Sequence, residues 1–202
     1  MNTTSELIKL HNNTIMKATL SRAGFHHIHK IADTLQGAVW KGSSQVSPRH
    51  VHVIKATNKY LHEQSISTKG DKVHHIDENI MTERLIMDFL SKKQDLPKSI
   101  VKYHSFFHTS SHFYLCMEYG GKPLFDFVLK AHKLISQGHL DISEWHKVIK
   151  IIFKQMIECI EYIHKYNICH YDLSLENFLI NDCQIQEQHN NDHTHIYDNS
   201  EI

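Results

Sequence analysis

The chain changes texture at Gly120-Gly121, and that change decides its fold class. Ahead of the pair, strand signals dominate. Ile28 to Thr34 and Ala38 to Lys41 are short candidates. His50-Val-His-Val-Ile-Lys55 alternates in its first part and is rich in β-branched residues. Gly42 to Pro48 reads as the turn before it. Residues 60–76 are polar and read as a loop. Asp77 is placed to cap a helix reaching Leu90, with Ile86, Phe89 and Leu90 on its buried side and Ile80 or Met81 behind them. Ile100 to His108 and His112 to Tyr119 are the next strands, turning at Ser110-Ser111. Behind the pair, the spacing becomes helical. Pro123 suits the first turn of a helix over Leu124 to Ile135, and Gly138 breaks it. Asp141-Ile-Ser-Glu144 resembles a capping box. The helix that follows carries Trp145, Val148, Ile152, Met156, Cys159, Ile160 and Ile163, close to a 3.6-residue stripe. Phe178 to Ile180 and Gln184 to Gln186 are short strand-like pieces, and the residues after them are polar. Residues 1–24, with Leu7, Ile8 and Leu10, admit one or two short helices. A strand-rich lobe followed by a helical one is an α+β chain.

Composition narrows the function classes. Lys plus Arg and Asp plus Glu are equal at 22 each, so charge gives no reason to expect a nucleic acid or a membrane surface as partner. Cys116, Cys159, Cys169 and Cys183 form no CxxC pair and read as reduced thiols of a cytoplasmic chain. The N-terminus has neither an apolar signal core nor Gly at position 2, and no apolar run approaches a membrane span. The 20 histidines are scattered. The late group His189, His193 and His195 matches no zinc spacing.

The most specific string is His170-Tyr-Asp-Leu-Ser-Leu-Glu-Asn-Phe-Leu-Ile180, directly after the long amphipathic helix. An Asp and an Asn five positions apart are about 500° apart on a helix, so only a loop aims both into one cavity. The string resembles the catalytic loop of eukaryotic protein kinases, H-R-D-L-x-x-x-N with an apolar tail. Four further segments fall in that family's order. Val53-Ile-Lys55 is similar to its β3 lysine strand. Glu83, within Glu83-Arg-Leu-Ile-Met-Asp-Phe-Leu90, is similar to its C-helix glutamate, with Glu78 as the alternative. Leu115-Cys-Met-Glu-Tyr-Gly120 is similar to its hinge. Ile31 to Gly42 stands where its glycine-rich loop belongs.

The resemblance implies a protein-kinase-like fold: an antiparallel β-sheet N-lobe with one C-helix, then an incomplete, mainly helical C-lobe. The implied boundaries are an extension over 1–24, an N-lobe over 25–119, a partial C-lobe over 120–187 and a polar tail or insertion over 188–202. The implied activity is transfer of the γ-phosphate of ATP, with Mg²⁺, to Ser or Thr of protein substrates. Asp172 would be the base and Asn177 a metal ligand, while Lys55, held by Glu83, would anchor the phosphates. Ile31, Gly37, Val39, Met117, Glu118, Tyr119 and Gly120 would surround the nucleotide.

Departures from the pattern leave a second reading open. Ala32 and Thr34 occupy two of the three glycine positions, and only Gly37 is kept. Tyr171 replaces the Arg of H-R-D. Ser174 replaces a common Lys that would neutralise the transferred phosphoryl group. No Asp-Phe-Gly follows Asn177, and Asp182, Asp192 and Asp198 lack its flanks. The chain therefore reads as a truncated piece of a longer kinase whose helix stripe over 145–163 is only partly covered, inviting a partner. The alternative is a pseudokinase, or nucleotide-binding interaction module, without catalysis.

Overall fold

The computed structural model describes residues 4–44, 50–67, 74–75 and 78–181. They fall into two compact units, one made of the chain up to Leu96 together with Val101–Tyr119, the other of Pro97–Ile100 and the described residues from Gly120 onward.

The first unit contains, in chain order, α1 (Thr4–Arg22), β1 (Phe25–Thr34), β2 (Gly37–Ser44), β3 (Val51–Asn58), α2 (Lys59–Glu63), β4 (Ile66–Ser67), β5 (His74–His75), α3 (Ile80–Ser91), β6 (Tyr103–His108) and β7 (His112–Glu118). Five strands form one sheet in the order β1-β2-β3-β7-β6, every neighbouring pair antiparallel. Residues opposed across a ladder share a face. Trp40 opposes Ile54, which opposes Cys116, and Ala56 opposes Tyr114. These five, with Phe25 and Leu20 of α1, make the buried core of the unit.

That packing explains α1, which is one 19-residue helix rather than one or two short ones. Its sequence is largely polar, and the Thr14 and Thr19 hydroxyls donate back to carbonyls four residues earlier. A stable helix of this composition needs tertiary burial, and Leu20, fully enclosed, supplies it by docking on the sheet. Gly24, at φ +91°, ends the helix in the left-handed conformation that glycine tolerates.

Other boundaries depart from the sequence expectation for local reasons. β2 runs through Gly42 instead of turning there. A Cβ at that position would sit 3.1 Å from the His26 carbonyl, so the glycine lets β1 pass closely. α3 is capped by Asn79, whose side chain accepts from the amides of Met81 and Thr82, while Asp77 lies outside the described residues. Ile80 and Leu90 are buried as expected, but Phe89 is 42% exposed. The Lys93 ammonium lies 4.0 Å from its ring centroid, within cation–π reach. Within 60–76 the described residues form α2 and the paired β4 and β5 rather than loop alone.

The second unit contains β8 (Lys122–Pro123), α4 (Leu124–Ser136), α5 (Ile142–His164) and β9 (Leu179–Ile180). Pro123 stands at the N-cap of α4. Asp141 caps α5, accepting from the Ser143 amide at 2.7 Å. The helices meet where the Phe127 and His132 rings approach Trp145 at 5.8 and 6.3 Å. The seven residues of the expected α5 stripe are all buried or half-buried, as are Glu144, Ile149, Gln155 and Tyr162 beside them. Ile151, Phe153 and Ile157 on α5 are exposed. Phe153 and Ile157 line an apolar groove of about 780 Å³ with Leu173, Leu175 and Phe178. No described helix is long and apolar enough to cross a membrane. Gln184–Gln186 lies outside the described residues.

A two-residue ladder, Lys122 with Ile180 and Pro123 with Leu179, joins β8 to β9. Gly121 makes it possible: at φ +107°, with a Cβ that would fall 1.8 Å from the Ile180 carbonyl oxygen, only glycine fits. The amides of Leu124 and Phe125 extend the seam, donating to the carbonyls of Phe178 and Leu175.

Candidate functional site

In the first unit the site is assembled on the sheet face opposite the Trp40 core. Lys55 lies between Val39 and Leu115 in register, and two residues along the same face Val53 opposes Met117. α3 packs on β6 and β7 and brings its first-turn carboxylate to the lysine. Lys55 Nζ donates to Glu83 Oε2 at 2.8 Å, and Glu78 Oε2 is 3.8 Å away. Both glutamates weighed in the sequence thus surround one ammonium, Glu83 the closer. An acidic residue is favourable at a helix N-terminus, so Glu83 serves the helix and the pair together.

Burial alone would pull the Lys55 ammonium down. The charge and hydrogen bond of Glu83, helped by the charge of Glu78, outweigh it and hold the pKa above the ordinary lysine value. Lys55 is therefore a fixed cation with a firm position, and an ammonium so placed can meet phosphate oxygens as a point charge.

The remaining predicted residues of this unit are not equivalent. Gly37 starts β2, and a Cβ there would fall 1.9 Å from the Ala56 carbonyl oxygen, so close approach to β3 alone requires glycine. Ile31 lies in a register irregularity between Lys30 and Ala32, so strand alternation does not fix its side. Its side chain is largely exposed. Glu118 ends β7 with its amide donating to the Lys102 carbonyl at 2.9 Å and its carboxylate accepting from the Lys102 amide. A base could use only its backbone carbonyl. The Lys41 ammonium lies 3.8 Å from the Tyr119 ring centroid, a contact that sequence spacing did not signal. Gly120 belongs to the second unit. Cys116, on the core face, has its thiol pushed up to about 11 by burial, against a smaller opposing effect of the Ser105 hydroxyl.

In the second unit, α5 ends at His164 and Asn167 takes the left-handed conformation, a common helix stop. Tyr171 is also left-handed, at φ +64°, and 95% exposed. For a bulky residue that backbone costs about 1–3 kcal/mol, and such strain collects at functional loops. Next to it Asp172 and Asn177 meet. Asn177 Nδ2 donates to the Asp172 carbonyl at 2.9 Å and to Asp172 Oδ2 at 2.8 Å, and a turn from Ser174 to Asn177 closes the loop. With its nitrogen committed to Asp172, Asn177 presents its amide oxygen as the atom able to meet a metal. Mg²⁺ is usually held through one or two protein carboxylates, with phosphates and water completing the shell. The Asn177 amide oxygen fits one place in that donor set.

Sequence reasoning missed Gln36, which is almost wholly buried at the β1–β2 turn, as well as the Lys41–Tyr119 contact. A glutamine at a hairpin tip is ordinarily solvated, so nothing in the string marked it.

Comparison with known proteins agrees with this geometry. The family model described as protein kinase domain matches residues 24–198. A probable serine/threonine-protein kinase KIN1 homolog of Enterocytozoon bieneusi is 38% identical over 82 residues, 40% of this chain and 12% of that protein. The KIN1 homolog of Encephalitozoon cuniculi is 29% identical over 114 residues, 56% of this chain and 18% of that protein. The serine/threonine-protein kinase PLK2 of Mus musculus is 26% identical over 85 residues, 42% of this chain and 11% of that protein. The chain thus spans less than a fifth of each of these relatives. With a family match over most of its length and a lysine–glutamate pair and Asp–Asn loop in the expected elements, the chain belongs to the protein kinase domain family.

Proposed function

We propose that this chain carries the nucleotide- and base-bearing part of a serine/threonine protein kinase, which transfers the γ-phosphate of ATP to protein hydroxyls. The observation that supports it most is the Lys55–Glu83 bond of 2.8 Å, which joins residues 28 positions apart on β3 and α3. In this reading Lys55 anchors the α- and β-phosphates. Ile31, Val39 and Met117 enclose the adenine, with Gly37 at the phosphate turn. The Glu118 carbonyl and the amide of Tyr119 or Gly120 bond the base. Asp172 accepts the proton of the attacking hydroxyl, and the amide oxygen of Asn177 holds Mg²⁺. The metal, when bound, neutralises charge on the phosphates. The described cysteines are free thiols, in keeping with a cytoplasmic protein.

Ala32 and Thr34 at the phosphate turn, and Ser174 in place of a cation, favour a second reading, a nucleotide-binding pseudokinase. Calorimetry with ATP and Mg²⁺, and transfer of labelled γ-phosphate to a Ser/Thr peptide mixture, separate the two. The kinase reading expects binding and transfer, with Asp172→Asn lowering transfer at least about 100-fold and leaving ATP affinity within about twofold. Binding without transfer selects the pseudokinase. Unaltered transfer by Asp172→Asn removes the base assignment.

A further inference from the structure

The turn that joins β1 to β2 consists of Leu35 and Gln36. Gln36 is only 2% exposed, although it sits at a hairpin tip. Its side-chain nitrogen donates to the carbonyls of Leu61 in α2, at 3.0 Å, and Ile66 in β4, at 3.2 Å. Its own carbonyl accepts from the Asn58 amide at 2.8 Å. The Leu35 carbonyl accepts from the Ser67 hydroxyl at 3.0 Å, and Ser67 is 1% exposed. Four hydrogen bonds thus tie the turn to the 58–67 segment, which runs from the end of β3 through β4.

The end of β1 that leads into this turn lacks the flexibility of a glycine-rich one, because Ala32 and Thr34 stand where glycines would let the backbone settle against a phosphate. A stiffer turn must be placed from outside. The buried carboxamide is suited to this, since both of its N–H groups are spent on backbone carbonyls. Removing them would strand two acceptors away from their donor.

We infer that Gln36 is a positioning residue, which fixes the β1–β2 turn through the 58–67 segment so that the turn backbone can bind the triphosphate of a nucleotide. The inference rests on the nucleotide-binding reading above. Gln36 acts through the turn and touches no ligand, so its effect is confined to phosphate-bearing ligands.

The test uses the full chain with Gln36→Met, which keeps the bulk and removes both donors, and with Ser67→Ala, a milder cut at the same anchor. Affinities for ATP and for adenosine are measured by calorimetry. Amide exchange is followed at residues 34–38 and at Asn58. Gln36→Met should weaken ATP about tenfold, equivalent to about 1.4 kcal/mol, and leave adenosine within about twofold. Exchange at Gly37 and Asn58 should quicken, and Ser67→Ala should give a weaker version of the same pattern. ATP and adenosine falling together, or unchanged exchange in both variants, would overturn the assignment. So would a wild-type chain that binds ATP no more tightly than adenosine. A wild-type chain that binds neither overturns the nucleotide reading itself, a distinct result.

Discussion

At the scale of single residues, environment sets chemistry more than type does. Three cysteines are described, and they differ in setting. Cys116 is enclosed in the sheet core, with its thiol raised to about 11, whereas Cys169 is exposed. Because the thiolate is the reactive form, a thiol reagent at neutral pH should label Cys169 within minutes and Cys116 only on unfolding. Peptide mapping after timed labelling checks this, and early labelling of Cys116 would contradict the buried placement. The string announced Lys55 and Glu83 because each sits in a strongly patterned element, and Asp172 and Asn177 because their fixed offset survives in the loop. Phe89 was misread for the opposite reason. Its place on an apolar stripe says burial, yet it is 42% exposed with the Lys93 ammonium over its ring.

At the scale of elements, the docking of α1 on the sheet is the feature least visible beforehand. Its polar composition gives little period to read, and its partners Trp40, Ile54 and Tyr114 are distant in sequence. The sheet was far more legible, since alternating β-branched and aromatic residues mark β3 and β7, and the order of strands follows the family. Strand ends were less so: β2 continues past Gly42 because of a close approach that no local signal encodes. If Leu20 is what fastens α1, Leu20→Ala should destabilise the first unit by about 2–5 kcal/mol, the usual range for emptying a buried leucine site. Chemical denaturation followed at Trp40 measures it. A loss below about 1 kcal/mol would mean that α1 contributes little to the core.

At the scale of the molecule, the two units meet acid for different reasons. Burial holds His52, His104 and His112 of the first unit below the ordinary histidine value. The unfolded chain then binds more protons, so stability falls as pH drops through the ordinary histidine range and is restored above it. Both ring nitrogens of His52 are buried without a hydrogen-bond partner, so His52→Phe should flatten that limb. In the second unit, the Ser143 hydroxyl, then its amide, hold the Asp141 carboxyl below its ordinary value. That contribution is complete above the ordinary carboxylate value and is lost as pH falls through the folded one. Lys55, raised by its glutamates, contributes below the ordinary lysine value and is lost only in strong alkali. Thermal melts across pH should therefore show the first unit weakening before the second on acidification. Simultaneous loss, unaltered by His52→Phe, would contradict this.

The seam between β8 and β9 has a topological consequence. It brings the beginning of the helical segment against its end, so that 122–180 forms a ring closed by hydrogen bonds rather than by a covalent bond. A protease cut in the exposed turn around Gly138 would break the covalent path of that ring but leave its seam hydrogen-bonded. β9 would stay zipped to the stretch that follows Gly121, and new chain ends could be introduced at that turn with the old ones left in place.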